Sequence, residues 1–280
     1  MALAWGPLCY YARAFLTGYK ANMSRHIPLD GAPNFRDFGG YPVARTGRRV
    51  KYGRLFRAGH LADLSLADLT VVADLGISHL YDFRRSFEQE YKPNHPSVLA
   101  TVDHVIHLDI TPGNHTGSLE VVTRTGSLPA ETHQFMCDIN RELALSHQSS
   151  FERVFEGLLA DPDAIILVHC AAGKDRTGFA AALILLALGV ELDVVMQDYL
   201  LTQRYFLPHQ QIPALRDKYG FDGVQDEVLE PIVATRREYL QAALDAMLEH
   251  SGSIDGYLLD AFGVGEVERQ LLSERLTETV

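Results

Sequence analysis

The chain has 280 residues, 47% hydrophobic and 22% charged, which fits an ordinary folded protein and excludes a disordered one. Its longest near-continuous apolar run, residues 179–188, is well short of the roughly 20 residues a membrane span needs, so no integral membrane segment is expected. The formal net charge of −11 disfavours nucleic acid and anionic membrane surfaces as non-specific partners, and any site for an anion must then be a local positive pocket.

Residues 1–22 are apolar and aromatic, with Trp5, Tyr10, Tyr11, Phe15 and Tyr19, but lack a basic segment ahead of the apolar part. They are expected to be an N-terminal extension, from a misassigned start or a weak leader, ahead of a single domain over 23–280. Cys9, Cys137 and Cys170 form no regular disulfide framework, so a cytoplasmic location is expected, with secretion left open.

In chain order, Tyr41-Pro42-Val43 and Arg49-Val50-Lys51-Tyr52 flank a turn containing Gly47 and predict a hairpin. From Arg45 to Arg57 there are six basic residues and no acidic one, which suit solvated hairpin charges better than an anion site. Ser65 with Asp68 opens a helix that Gly76 ends. Residues 77–83 read as a strand, then a polar loop runs through Pro93 and Pro96, and 102–110 read as another strand. A long insert is expected at about 111–148. It comprises a loop to 129, then an amphipathic helix that turns Phe135, Met136, Ile139 and Leu143 to one side.

Ser149 to Glu152 has the form of a capping box opening a helix that places Phe151, Val154, Phe155, Leu158 and Leu159 inward. Residues 164–168 form the unbroken apolar run of a central parallel strand, and 179–188 are apolar all round, as in a buried helix. The remainder reads as helical. Pro231 is placed to start a helix carrying Ile232, Tyr239, Leu240, Ala243, Leu244, Met247 and Leu248 in one stripe, and two short helices follow near 254–262 and 266–276. This order predicts one α/β domain.

The decisive segment is His169-Cys170-Ala171-Ala172-Gly173-Lys174-Asp175-Arg176-Thr177-Gly178, between a buried strand and a buried helix. Backbone N–H groups of Ala171, Ala172, Gly173, Lys174, Asp175 and Arg176 can converge on the oxygens of a phosphate dianion at the helix N-terminus. Gly173 permits a tight backbone approach, and the Arg176 fork can hold two oxygens at once. The same donors favour a thiolate at Cys170, the form that attacks phosphorus. Thr177 can hydrogen-bond Cys170 and ease departure of its sulfur, and Lys174 adds positive charge to the pocket floor. A lone cysteine is usually a small buried hydrophobe, but this combination at this spacing outweighs that reading. A nucleotide P-loop is excluded, because Asp175 follows Lys174 and Val168 occupies the position of the first glycine. The twelve histidines include no metal-binding pair, so neither metal nor cofactor is expected. An acid is needed to protonate the leaving oxygen. Asp82 and Asp109 near predicted strand ends, and Asp175 in the loop, are the three candidates.

His-Cys-x-x-Gly-x-x-Arg-Thr resembles the protein-tyrosine phosphatase superfamily. Asn34-Phe35-Arg36-Asp37-Phe38-Gly39-Gly40, Gly53-Arg54-Leu55-Phe56-Arg57-Ala58-Gly59 and Tyr81-Asp82-Phe83-Arg84 narrow the likeness, as does Gly173-Lys174-Asp175-Arg176-Thr177-Gly178. Together they are similar to the bacterial tyrosine-protein phosphatases that resemble dual-specificity and phosphoinositide phosphatases, over residues 25–276. The resemblance implies a mostly parallel central sheet flanked by helices and a metal-independent enzyme with a phosphocysteine intermediate. Phosphorylated protein, phosphotyrosine above all, or phosphoinositide would be the substrate. Within it, Asp109 matches the acid of dual-specificity relatives, Asp82 belongs to the Asp-x-Arg segment, and Asp175 is used by some relatives with Lys-Asp in the loop. The alternative is a catalytically inactive phosphate-binding module on the same fold.

Overall fold

The computed structural model describes residues 25–113 and 126–280. The expected extension at 1–22 and the middle of the expected insert lie outside the described residues. No helix among the described residues is long and apolar enough to cross a membrane.

A five-stranded sheet organises the chain. Its strands are β1 (Arg36–Asp37), β4 (Leu55–Ala58), β5 (His79–Asp82), β6 (His104–His107) and β7 (Ile166–His169), in the spatial order β1-β4-β7-β5-β6. Strands β4, β7, β5 and β6 run parallel, and β1 pairs antiparallel with β4. This is the mostly parallel α/β sheet that the resemblance implies. Alternation along the strands sorts the core into two layers. Leu55, Tyr81, Ile166 and Val168 face a large cluster that includes Phe151, Phe155, Phe179, Leu183, Tyr239 and Leu258. Phe56, Ala58, Leu80 and Leu167 face a smaller one with Phe35, Leu61, Val72 and Val98.

Helices supply the layers. On the small-cluster side are α1 (Leu66–Asp74) and α3 (Pro96–Leu99), and Ser65 and Asp68 form the expected capping box. The other layer includes α4 (Pro129–Ser146), α5 (Gln148–Ala160), the buried α6 (Asp175–Ala187) and α7 (Leu192–Leu200), followed by α8 (Thr202–Tyr205) and α9 (Pro208–Tyr219). The chain then forms α10 (Asp226–Val233), α11 (Arg237–Ser251), α12 (Ile254–Phe262) and α13 (Glu266–Leu276). The expected hairpin is β2 (Pro42–Val43) with β3 (Arg48–Val50), and β3 also pairs with a terminal strand, β8 (Thr277–Thr279).

Four local expectations change. The expected polar loop after β5 contains α3 and also α2 (Ser86–Tyr91), because Glu88 accepts from the Arg85 N–H at 3.0 Å and closes the first turn. Helix α5 opens at Gln148, ahead of the Ser149 cap, and makes no side-chain cap bond. Pro231 lies inside α10, where its missing N–H costs one bond in the last turn, and the break at the extended Ala234 separates Ile232 from the rest of the expected stripe on α11. Strand β8 carries only three residues, too few to show a period.

The basic stretch mostly serves this periphery. The Arg48 Nε donates to the Thr277 hydroxyl at 2.6 Å, Arg49 pairs with Glu278 at 2.8 Å, and Lys51 donates to the Arg275 carbonyl at 2.6 Å. Deleting residues 277–280 should therefore lower the melting temperature by about 4–8 °C, the equivalent of roughly 2 kcal/mol for a domain of this size. Calorimetry checks this, and an unchanged midpoint would mean that β8 is passive.

Candidate active site

The pairing register brings four chain segments to one point. Ala58, His169, Asp82 and His107 are neighbours across the sheet, so the residues following β4, β7, β5 and β6 all emerge at its C-terminal edge. Open α/β sheets place their ligands at this edge. Cys170 follows β7 directly and is 3% exposed. The loop then turns through Gly173 at φ +66 into the N-terminus of α6. A side chain at 173 would come within 2.6 Å of the Ala58 carbonyl, so glycine is required twice, for conformation and for space.

Arg176, in the first turn of α6, reaches across the cleft. Its Nη1 donates to the Phe83 carbonyl at 2.9 Å and to Glu88 at 2.8 Å, and its Nη2 donates to the other Glu88 oxygen at 3.3 Å. Glu88 also accepts from Lys218 of α9 at 3.0 Å. Burial alone would raise the Glu88 carboxyl, but Arg176, ahead of Lys218, outweighs it and holds the group well below the usual carboxylate range. Burial likewise works against the Arg176 charge, and Glu88 and Cys170 together more than restore it. Sequence reading missed Glu88. Its signal, an acidic residue three positions after Arg85, is ordinary helix chemistry.

The three candidate acids occupy different surroundings. Asp82 is fully buried and grips Arg84 with both oxygens, at 2.9 Å to Nε and 2.7 Å to Nη2. Asn94 donates to it at 3.0 Å, and His169 Nε2 lies 3.4 Å away. Despite burial, which opposes ionisation, His169 and Arg84 hold Asp82 far below the usual carboxylate range. Asp109 is exposed and caps α2, accepting from the Ser86 N–H at 3.2 Å and hydroxyl at 3.0 Å, and from Thr111 at 2.8 Å. Asp175 accepts from Asn140 at 3.2 Å and lies 3.3 Å from the Lys174 ammonium.

Lys174 is buried, and its side chain runs to the end of α10. Its Nζ donates to the Ile232 and Ala234 carbonyls at 2.5 and 2.8 Å, tying the loop to the end of α10, and burial lowers its pKa. Thr177 is buried. The loop forms the floor of a cleft of about 450 Å³, where Cys170, Ala171, Ala172, Lys174, Asp175 and Arg176 all contribute to the lining. Phe135, Met136 and Ile139 of α4 form one wall, and Phe206, Leu215 and Tyr219 another. Asp82 and Asp109 lie outside that lining. Among the described residues, no group of three or more His, Cys, Asp or Glu side chains is placed to hold a metal ion.

A cysteine at the end of a central parallel strand, followed by a glycine turn and a helix-borne arginine, defines the class of cysteine-dependent phosphatases. The chain belongs to the tyrosine phosphatase family, whose sequence profile matches residues 27–278. It is 34% identical to a Cupriavidus necator protein named as a tyrosine-protein phosphatase, over 86% of this chain and 85% of that one. It is 32% identical to the triple specificity protein phosphatase PtpB of Mycobacterium tuberculosis, over 83% of this chain and 92% of that one. A looser likeness, at 14% identity and a TM-score of 0.33, covers 61% of this chain and 91% of the core catalytic domain of the PP-IP phosphatase Siw14 from S. cerevisiae. The protein is thus a cysteine-dependent tyrosine phosphatase.

Replacing Glu88 by Gln should leave Arg176 and Lys218 facing each other without a counter-charge. A loss of about 3 kcal/mol is expected, the low end for a pair at the rim of a cleft. Because the carboxyl is depressed in the folded state, its contribution is complete above the ordinary value of 4.5 and is lost as pH falls below it. Denaturant titrations at pH 7 and pH 3 should therefore show a smaller difference between E88Q and native protein at pH 3.

Proposed function

We propose that the protein hydrolyses phosphate monoesters, phosphotyrosine in particular, through a phosphocysteine intermediate on Cys170. The observation that carries this reading is the shared cleft floor of Cys170, the following backbone and Arg176. The Cys170 thiolate attacks phosphorus while the ester P–O bond breaks, and the leaving oxygen takes a proton from the general acid. Water then attacks phosphorus, the S–P bond breaks, and the acid regains its proton from that water. Inorganic phosphate and the free alcohol or phenol are the products. Arg176 and the N–H groups of residues 171–176 hold the phosphoryl oxygens in both steps.

Asp175 is the acid in this reading. It lines the cleft floor, whereas Asp82 is locked by Arg84 and Asp109 caps α2. Asp82 acts instead through Arg84 and His169 to brace the strand ends. The walls built by Phe135, Met136, Phe206 and Leu215 suit an aryl leaving group. Phosphoserine, phosphothreonine and phosphoinositide esters are further substrates to compare, since one relative is named for triple specificity. The catalytic unit is one domain beginning near residue 23.

Hydrolysis of a chromogenic aryl phosphate without added metal separates this enzyme from an inactive phosphate-binding module. Cys170→Ser should abolish turnover, and Arg176→Lys should reduce it at least about 100-fold through loss of the two-pronged contact. Asp175→Asn should slow phenyl phosphate far more than an ester with a good leaving group. Equal loss on both esters would remove Asp175 from the acid role.

A further inference from the structure

The back of the phosphate loop is as closely held as its front. The His60 N–H donates to the Ala171 carbonyl at 3.0 Å. Asn34 Nδ2 donates to the Gly173 carbonyl at 2.7 Å and reaches the Ala172 carbonyl at 3.4 Å, and Arg57 Nη2 donates to the Gly173 carbonyl at 3.0 Å. Three successive carbonyls are therefore held from outside. In a planar trans peptide the N–H points opposite to the C=O. The N–H groups of Ala172, Gly173 and Lys174 are thus directed to the other side of the loop.

The donors are themselves fixed. Asn34 adopts φ +62, a conformation that costs most residues energy, and its Oδ1 accepts from Arg36. Arg57 divides its fork, with Nη1 on Asp198 at 2.6 Å and Nη2 on Gly173. Asp198 also lies 3.4 Å from the Arg36 Nε and accepts from the Tyr41 hydroxyl at 3.1 Å. The side chains of Arg36, Arg57 and Asp198 are at most 2% exposed. Two guanidinium groups against one carboxylate leave positive charge directly behind the loop, in a protein of net charge −11.

We infer that Asn34 and Arg57, with Asp198 anchoring Arg57, are positioning residues that aim the loop amides at the phosphoryl oxygens. The inference rests on the phosphatase reading of the cleft and adds to it the machinery that sets the loop's polarity. None of the three need touch substrate. They act through the Ala172 and Gly173 carbonyls.

The test uses Asn34→Gly, Asn34→Asp and Arg57→Lys. Glycine keeps the positive φ and removes the donor, and aspartate keeps the shape but cannot donate to a carbonyl. Lysine keeps a charge for Asp198 on a single nitrogen and loses the two-nitrogen fork that spans Asp198 and Gly173. Tungstate binding by calorimetry, corrected for the folded fraction from thermal melts, is measured beside kcat and KM for an aryl phosphate. Each variant should weaken tungstate and lower kcat/KM at least about fivefold, as for one lost buried hydrogen bond, with Asn34→Asp worse than Asn34→Gly. Variants that melt earlier but bind tungstate per folded molecule as tightly as native protein would reduce these residues to packing and overturn the inference. A native protein that neither binds tungstate nor hydrolyses the ester would instead overturn the phosphatase reading beneath it.

Discussion

Cations gathered around a cysteine repel one another, and this fold contains them by giving each a carboxylate partner. Arg176 has Glu88, Arg84 has Asp82, Arg57 and Arg36 share Asp198, and Lys174 has Asp175. A fully neutral cluster would attract no anion, so the balance matters. Asp198 serves two guanidinium groups, and Glu88 serves Arg176 and Lys218 together. The surplus is positive and lies around the loop, while the excess of acidic residues is carried elsewhere, notably after residue 222. Such pairing also keeps the donors still, which lets preorganised groups act on a developing charge without reorganising first.

Much of this was legible in the sequence because it is local. The apolar run at β7, the glycine turn and the apolar body of α6 from Phe179 are consecutive in the chain, so their order alone specifies strand, loop and buried helix. The Ser65–Asp68 cap and the bounds of α12 and α13 follow from the same short-range rules. What stayed hidden is non-local. Asp198 sits on an ordinary helix 141 positions from Arg57, and no spacing rule links them. Asp82, a candidate acid in the sequence, is instead paired with Arg84 two residues on. The backbone turn after β5 decides this. Helix α2 lies in a polar segment that Pro93 and Pro96 follow, which predicts a loop, while the Glu88 that closes its first turn is also held by Arg176 and Lys218.

The cleft gives the site two characters. Its floor is polar and rigid, set by the sheet edge and the start of α6. Its walls come from α4 and from α8–α9, and are apolar with Tyr219 and Lys218 at one margin. Floor chemistry is common to any phosphate ester, so discrimination among esters falls to the walls. The Lys218–Glu88 pair and the Arg85–Tyr219 hydrogen bond at 3.0 Å link α9 to the segment bearing the Arg176 counter-ion. Wall position and arginine position are thereby mechanically connected.

The central claim is covalent chemistry at one sulfur. Rapid acid quench of the enzyme during turnover of an aryl phosphate, followed by peptide mass spectrometry, tests it most directly. The account predicts a phosphorylated peptide spanning residues 169–176, with the phosphoryl group on Cys170 and its level falling as substrate is exhausted. Steady turnover with no phosphorylated enzyme, or a phosphoryl group on His169 in its place, would contradict it.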